Sequence, residues 1–273
     1  MNGFTFQSEI ISKLEIMRII KRFIGFVLGC LLISLFHSCS PYYAFGNAGI
    51  NPIAFNKPVY SDSVKVSTYI GGKYTQTVDS AHNQFGERNY FGQLYWAQTH
   101  TEKYYNYSYG AFGYIGSYKV AKVENYNGNK SYYGGGLSGE INFNVPFQSA
   151  DIRFIGLQGT LLYEDGPFTR FRRLAGEQNL ISGVTSSKFA YNISCVHSID
   201  FKIHKSTIGL DISNGITYFT NDSPRFFSSS LIIHYTYKQY TAYFQNTNSL
   251  WGIGNEFALG FNYRIKTDNR KLH

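Results

Sequence analysis

The chain's 273 residues suffice for one sizeable domain, and its 18% aromatics, 27 Gly and only 15% charged residues suit strands and turns, since soluble domains carry roughly 25% charge. A mean hydropathy of −0.23 excludes a helical membrane protein but not a membrane β-barrel, whose apolar face is diluted by alternation. The formal charge of +8 is dispersed among aromatic segments with no basic helix or run, which argues against nucleic acid as a partner.

The first predicted element is a leader. Arg18, Lys21 and Arg22 precede an apolar run from Phe23 to Phe36, the form of a signal peptide and short of the ~20 residues of a helical span. Met17 is an alternative start. Taken as residues 1–38, the leader carries four cations (Lys13, Arg18, Lys21, Arg22) and two acids (Glu9, Glu15), so its removal lowers +8 by two, to +6. The run stops at His37-Ser38-Cys39. A small residue followed by Cys at this point resembles the lipobox of bacterial lipoproteins, in the looser form of the Bacteroidota, and the resemblance implies acylation of Cys39. The alternatives are an ordinary signal peptide cut after Ser38, and a weaker lipobox at Gly29-Cys30. With Cys30 removed and Cys39 acylated, Cys195 stands alone and no intrachain disulfide forms. Each acyl CH₂ contributes ~0.8 kcal/mol to such an anchor. Residues 39–62, with Pro41, Pro52 and Pro58 and no sustained period, read as a lipidated linker that packs inside a barrel as a small plug or lies along its periplasmic rim.

From about 63 to 266 the pattern has period two, the mark of a two-faced sheet. It predicts strands over 63–76, 87–101, 103–122, 133–145, 151–164, 189–203, 207–218, 226–237, 240–248 and 256–266. In 207–218, Ile208, Leu210, Ile212 and Ile216 oppose Gly209, Asp211, Ser213 and Gly215. In 256–266, Phe257, Leu259, Phe261 and Tyr263 oppose Glu256, Ala258, Gly260 and Asn262. In 189–203 the apolar set is broken by His197. Soluble strands average ~5–6 residues, whereas a tilted membrane strand needs ~9–11. Short links near 102, 146–150, 204–205 and 238–239 alternate with longer ones over 77–86, 124–130, 165–187, 220–225 and 249–254. Gly134 to Gly139 lie inside a strand, where Gly relieves crowding. Tyr104, Tyr105, Tyr107, Tyr109, Tyr235, Tyr237 and Tyr240 suit an interfacial girdle.

Over 63–266 this pattern resembles the small outer-membrane barrels in the style of OmpA and OmpX. The resemblance implies an all-β, antiparallel up-and-down transmembrane barrel of about ten strands in the bacterial outer membrane. The expected division is a signal peptide (1–38), the linker (39–62), the barrel (63–267) and a short tail (268–273). An even strand count puts both barrel ends with the short turns, so the N-terminus is expected on the periplasmic side.

Charges on the inner face must pair, and Glu140, Asp200, Lys202, Asp211, Glu256 and Arg264 are predicted to form a network closing the lumen. A narrow channel for small polar solutes, lined by the same groups, is the alternative. In the longest loop Arg170, Arg172 and Arg173, beside Phe168 and Phe171, are candidates for contact with lipopolysaccharide phosphates or a protein partner. His82, His100, His197, His204 and His234 have no partner at a recognisable spacing, and there is no metal-type cluster or phosphate loop. No cofactor, metal or enzymatic activity is expected, with a barrel hydrolase as the minority reading. The expected function is a structural or interaction role in the cell envelope, as an accessory subunit of an envelope complex contacting outer-membrane lipid. Outside the membrane, the competing architecture is a soluble periplasmic β-sandwich or lipocalin-like binder tethered by Cys39.

Overall fold

Each stretch of alternating sequence forms a strand, and the strands close on themselves. The computed structural model describes residues 43–47, 52–57, 65–78, 87–121, 123–147, 150–181, 184–220, 225–249 and 254–268. The leader, Cys39, His82 and the residues after 268 lie outside these. The strands are β1 (Val66–Val78), β2 (Arg88–Thr101), β3 (Tyr105–Val120), β4 (Gly128–Pro146), β5 (Ala150–Asp165), β6 (Phe189–Ile203), β7 (Ser206–Phe219), β8 (Arg225–Tyr237), β9 (Tyr240–Ser249) and β10 (Gly254–Asp268). Each is antiparallel to its sequence neighbours, and β1 pairs with β10 from Val66↔Asp268 to Val78↔Asn255. The result is a ten-strand, up-and-down barrel without a free sheet edge, the condition lipid imposes on a sheet.

The short turns are tight. Ile203 pairs Ser206 across His204-Lys205, and Tyr237 pairs Tyr240 across Lys238-Gln239. His204 and Lys238 both take φ 56°, the left-handed conformation that two-residue hairpin turns require. The long connection after β5 is not all loop. Helix α1 (Pro167–Glu177) starts with Pro in its first turn, where the missing N–H is harmless. It ends in a left-handed Asn179, with Leu180 N–H donating to the Ala175 carbonyl at 2.9 Å, a C-terminal cap.

The apolar face points out. Leu94 is 75% exposed, and Ile115 and Leu259 are each 68% exposed, while alternate residues such as Gln93 and Ala258 are buried. Ile208 is exposed, and Gly209, Asp211 and Ser213 on the other face of the same strand are buried. A β-sandwich or lipocalin-like barrel needs the opposite arrangement, apolar side chains inward. That alternative is therefore excluded by the orientation of the alternation.

One interruption has a local cause. At the boundary of Arg153 and Gly156 the register slips, so Phe154 and Ile155 stand opposite the single residue His197. This β-bulge reverses the phase of β5. Asp151 and Arg153 face inward before it, and Gln158, Thr160, Leu162 and Glu164 face inward after it. His197 Nδ1 bonds the Phe154 carbonyl, which satisfies a polar ring interrupting an apolar run.

Candidate functional site

The barrel interior is filled by the chain's own N-terminal segment. Residues 43–47 and 52–57 are buried apart from the half-buried Asn56, and their contacts descend the lumen in sequence order. Tyr43 lies at the long-loop end. Its carbonyl accepts from Thr185 N–H at 3.0 Å and its hydroxyl donates to Glu87. Its ring meets Phe171, Tyr118 and Phe168 edge-on, at centroid distances of 5.2, 5.7 and 6.3 Å. One turn deeper, Gly46 N–H donates to Glu164 at 2.8 Å and its carbonyl accepts from Asn89 at 2.7 Å. Gly46 is required there: a Cβ at this position would enter the Tyr132 ring. Midway, Gln93 bonds Asn47 at 3.1 Å and the Pro52 carbonyl. Asn262 then donates to the Ala54 carbonyl at 3.1 Å. Near the short-turn end Asn56 donates to Thr241, and Lys57 forms a fully buried ion pair with Glu140.

The lumen has two chemical halves. Toward the long loops an aromatic cluster of Phe45, Phe91, Tyr114, Tyr132, Phe168 and Phe171 packs around a single buried ion pair, Arg172–Glu164. Toward the short turns it is polar and charged. Arg153 pairs with Asp200 and lies 3.7 Å from Asp151. His234 Nε2 is 3.0 Å from Asp200 Oδ1. Such buried charges must be compensated by opposite charge and hydrogen bonds; here they tie β6 to β5 and to β8, while Lys57–Glu140 ties the N-terminal segment to β4.

The predicted lumen charges divide accordingly. Glu140 and Asp200 hold the two pairs just described. Asp211 is buried within electrostatic range of Lys57 and His234. Glu256 is buried within electrostatic range of Lys73. Lys202 is half-buried near the turn. Arg264 does not join the network. It donates to the Lys238 carbonyl at 2.7 Å on the short-turn rim.

No family model matches this chain, and no curated protein matches it. Among solved structures it is similar to the β domain of the autotransporter BrkA of Bordetella (8% identity, TM-score 0.40), covering 74% of this chain and 100% of that one. It is likewise similar to the translocator domain of the autotransporter NalP from Neisseria meningitidis (9%, TM-score 0.39, 75% of this chain and 90% of that one). A third is the outer membrane protein OprG from Pseudomonas aeruginosa (10%, TM-score 0.35, 74% and 96%).

The arginine cluster of the long connection splits. Arg172 is fully buried, not outward. Its Nη2 pairs with Glu164 at 2.9 Å, and its Nη1 donates to the Thr185 carbonyl at 2.8 Å. Its guanidinium lies 4.7 Å from the Phe45 ring centroid. Helical geometry explains this: Phe168, Phe171, Arg172 and Ala175 share the face that caps the lumen. Arg170 and Arg173 face solvent. With Lys188 and Ser186 they line a rim pocket of about 320 Å³. Lys188 donates to Asp165 at 2.8 Å, and this bond holds its ammonium pKa above the ordinary value. Sequence reasoning missed Lys57, Lys73, Arg153 and Glu164. A strict period of two puts Arg153 beside Ile155 and Leu157 on the lipid face, and that clash of polarity was the available sign of the bulge.

The N-terminal segment doubles back on β1. β1 does begin among the short turns, since Val66 pairs His100 and Asp268. The segment before it runs the other way, and Tyr43 lies at the long-loop end.

Proposed function

We propose that this protein is an outer-membrane barrel, exported by its leader and anchored through an acylated Cys39, that is self-plugged and serves a structural or interaction role as a subunit of an envelope assembly. The observation that carries the reading is the pairing of an apolar exterior with a lumen filled by residues 43–47 and 52–57. An exterior of this kind is compatible with lipid and not with water, because soluble monomers rarely expose contiguous apolar patches beyond a few hundred Å². A filled lumen speaks against the narrow-pore reading. It speaks equally against a lumenal hydrolase, since Asp200 is buried and held in an ion pair by Arg153, with His234 buried against the same carboxylate.

With the lumen closed, recognition falls to the barrel's ends. At the long-loop rim Arg170 and Arg173 are placed to meet phosphate groups of lipopolysaccharide or acidic side chains of a partner. The test has two parts. Membrane fractionation with heat-modifiable gel migration should place a folded barrel in the outer membrane. In planar bilayers the intact protein should give no steady conductance, whereas a chain with residues 43–57 replaced by a Gly/Ser linker, still heat-modifiable, should conduct. Steady conductance of the intact protein would restore the pore reading.

A further inference from the structure

We infer that the N-terminus of the mature chain leaves the barrel at its long-loop end, so that the acyl anchor on Cys39 enters the leaflet on that side, and the polypeptide then threads its own lumen before forming β1. The assignment to the outer leaflet rests on the reading above, of an outer-membrane barrel acylated at Cys39, and on the expectation that its short turns face the periplasm. The threading itself rests on geometry alone.

The direction of the segment is fixed by contacts at both ends. Tyr43 is bridged in parallel to Val184, in the connection that follows β5, and its hydroxyl reaches Glu87, just before β2. Lys57 pairs with Glu140, and Asn56 bonds Thr241, beside the tight turn that opens β9. The chain therefore descends from long loops to short turns between 43 and 57, and then begins β1 among the short turns.

Chain length does the rest. Four Cα–Cα steps lead from Cys39 to Tyr43, and extended chain spans at most ~3.6 Å per step, or ~14 Å. β5 has 16 residues, ~53 Å along the strand and ~40 Å along the barrel axis at a tilt of ~40°. Cys39 thus cannot return to the short-turn rim. A return inside is also blocked, because Phe45, Gly46 and Asn47 fill the lumen beneath Tyr43. Acylation itself transfers a diacylglyceryl group from a glycerophospholipid to Sγ. A C–S bond forms, a C–O bond to the phosphorylated headgroup breaks, and the thiol proton departs with that headgroup. Such an anchor, ~0.8 kcal/mol per buried CH₂, holds the top of the plug to the membrane beside the long loops.

The experiment inserts one epitope tag per chain, each checked for heat-modifiable migration: between Pro41 and Tyr42, in the 221–224 loop, or at the His204-Lys205 turn. Antibody staining compares intact with permeabilised cells. The N-terminal tag should stain whenever the 221–224 tag stains, and both on intact cells, with the His204-Lys205 tag silent until permeabilisation. A Ser40→Cys chain in a Cys195→Ser background, treated with a membrane-impermeant maleimide, asks the same question without an insertion. An N-terminal site that follows the His204-Lys205 tag overturns the inference. If the 221–224 tag stays silent on intact cells while the turn tag stains, the orientation reading has failed, and with it the outer leaflet. Metabolic labelling with an alkynyl fatty acid stands apart from these arms. Label lost in Cys39→Ala supports the anchor. An unlabelled wild-type chain removes the anchor and leaves the threading to the tags.

Discussion

Breaking the Arg172–Glu164 pair is the sharpest test of a dry, packed lumen. Both side chains are completely buried, the ion pair spans 2.9 Å, and Glu164 also accepts the Gly46 N–H. The pair therefore joins α1, β5 and the plug. Arg172→Met leaves a carboxylate without its cation in low dielectric, which destabilises by about 3–5 kcal/mol. Glu164→Gln added to Arg172→Met removes the stranded charge and should recover much of that loss. The built-in control is Lys188–Asp165, a pair of similar length, 2.8 Å, but partly in solvent. Lys188→Met should leave the midpoint where it was, as expected for a surface pair screened by water. The assay is urea unfolding in detergent micelles, read by loss of heat-modifiable migration. An Arg172→Met midpoint indistinguishable from that of Lys188→Met would mean that water reaches Glu164, and the sealed-lumen argument would be refuted.

The other predictions follow from single contacts. Leu94→Arg sets a cation in the middle of the lipid-facing side of β2 and should destabilise the inserted barrel by about 2–4 kcal/mol, measured by unfolding from liposomes; Leu94→Phe should be neutral, and equal tolerance of both would contradict a lipid-facing Leu94. Tyr43→Ala empties the centre of the loop-end aromatic cluster and should cost about 3–5 kcal/mol, the range for truncating a buried aromatic; an unchanged midpoint would place Tyr43 outside the core. Gly46→Val drives a side chain into Tyr132 and should unseat the plug, so bilayers should show intermittent conductance absent from the parent protein. Arg170→Gln with Arg173→Gln should weaken binding to lipopolysaccharide micelles several-fold without moving the unfolding midpoint; unchanged binding would reduce the rim cluster to solvated charge.

Some of this architecture was legible in the residue order and some was not, and particular positions show why. The ten strands could be read because period two is a local property: Ile208, Leu210 and Ile212 alternate with Gly209, Asp211 and Ser213 whatever lies across the barrel. Glu140, Asp200, Asp211 and Glu256 were placed inward for the same reason. Arg153 was not, because a bulge of one residue reverses the phase of everything before it, and a bulge is a feature of two paired strands. The β2 and β3 segments also carry aromatics on both faces, so Phe91, Tyr95, Phe112 and Tyr114 gave no sign that half the lumen is an apolar core.

Arg172 shows the same limit in a helix. Three nearby arginines look alike along the chain, and only the docking of α1 over the lumen turns one inward against Glu164 while leaving two in solvent. By itself, then, the residue order determined the strand count, the two faces of the sheet and the alternation of short and long connections, since each follows from spacing between near neighbours. Tertiary structure alone decided that residues 43–47 and 52–57 line up down the lumen from the long-loop end and which charges they meet there, because Lys57 and Glu140, or Gly46 and Glu164, are brought together by closure of the barrel around the segment, and spacing along the chain carries no trace of that.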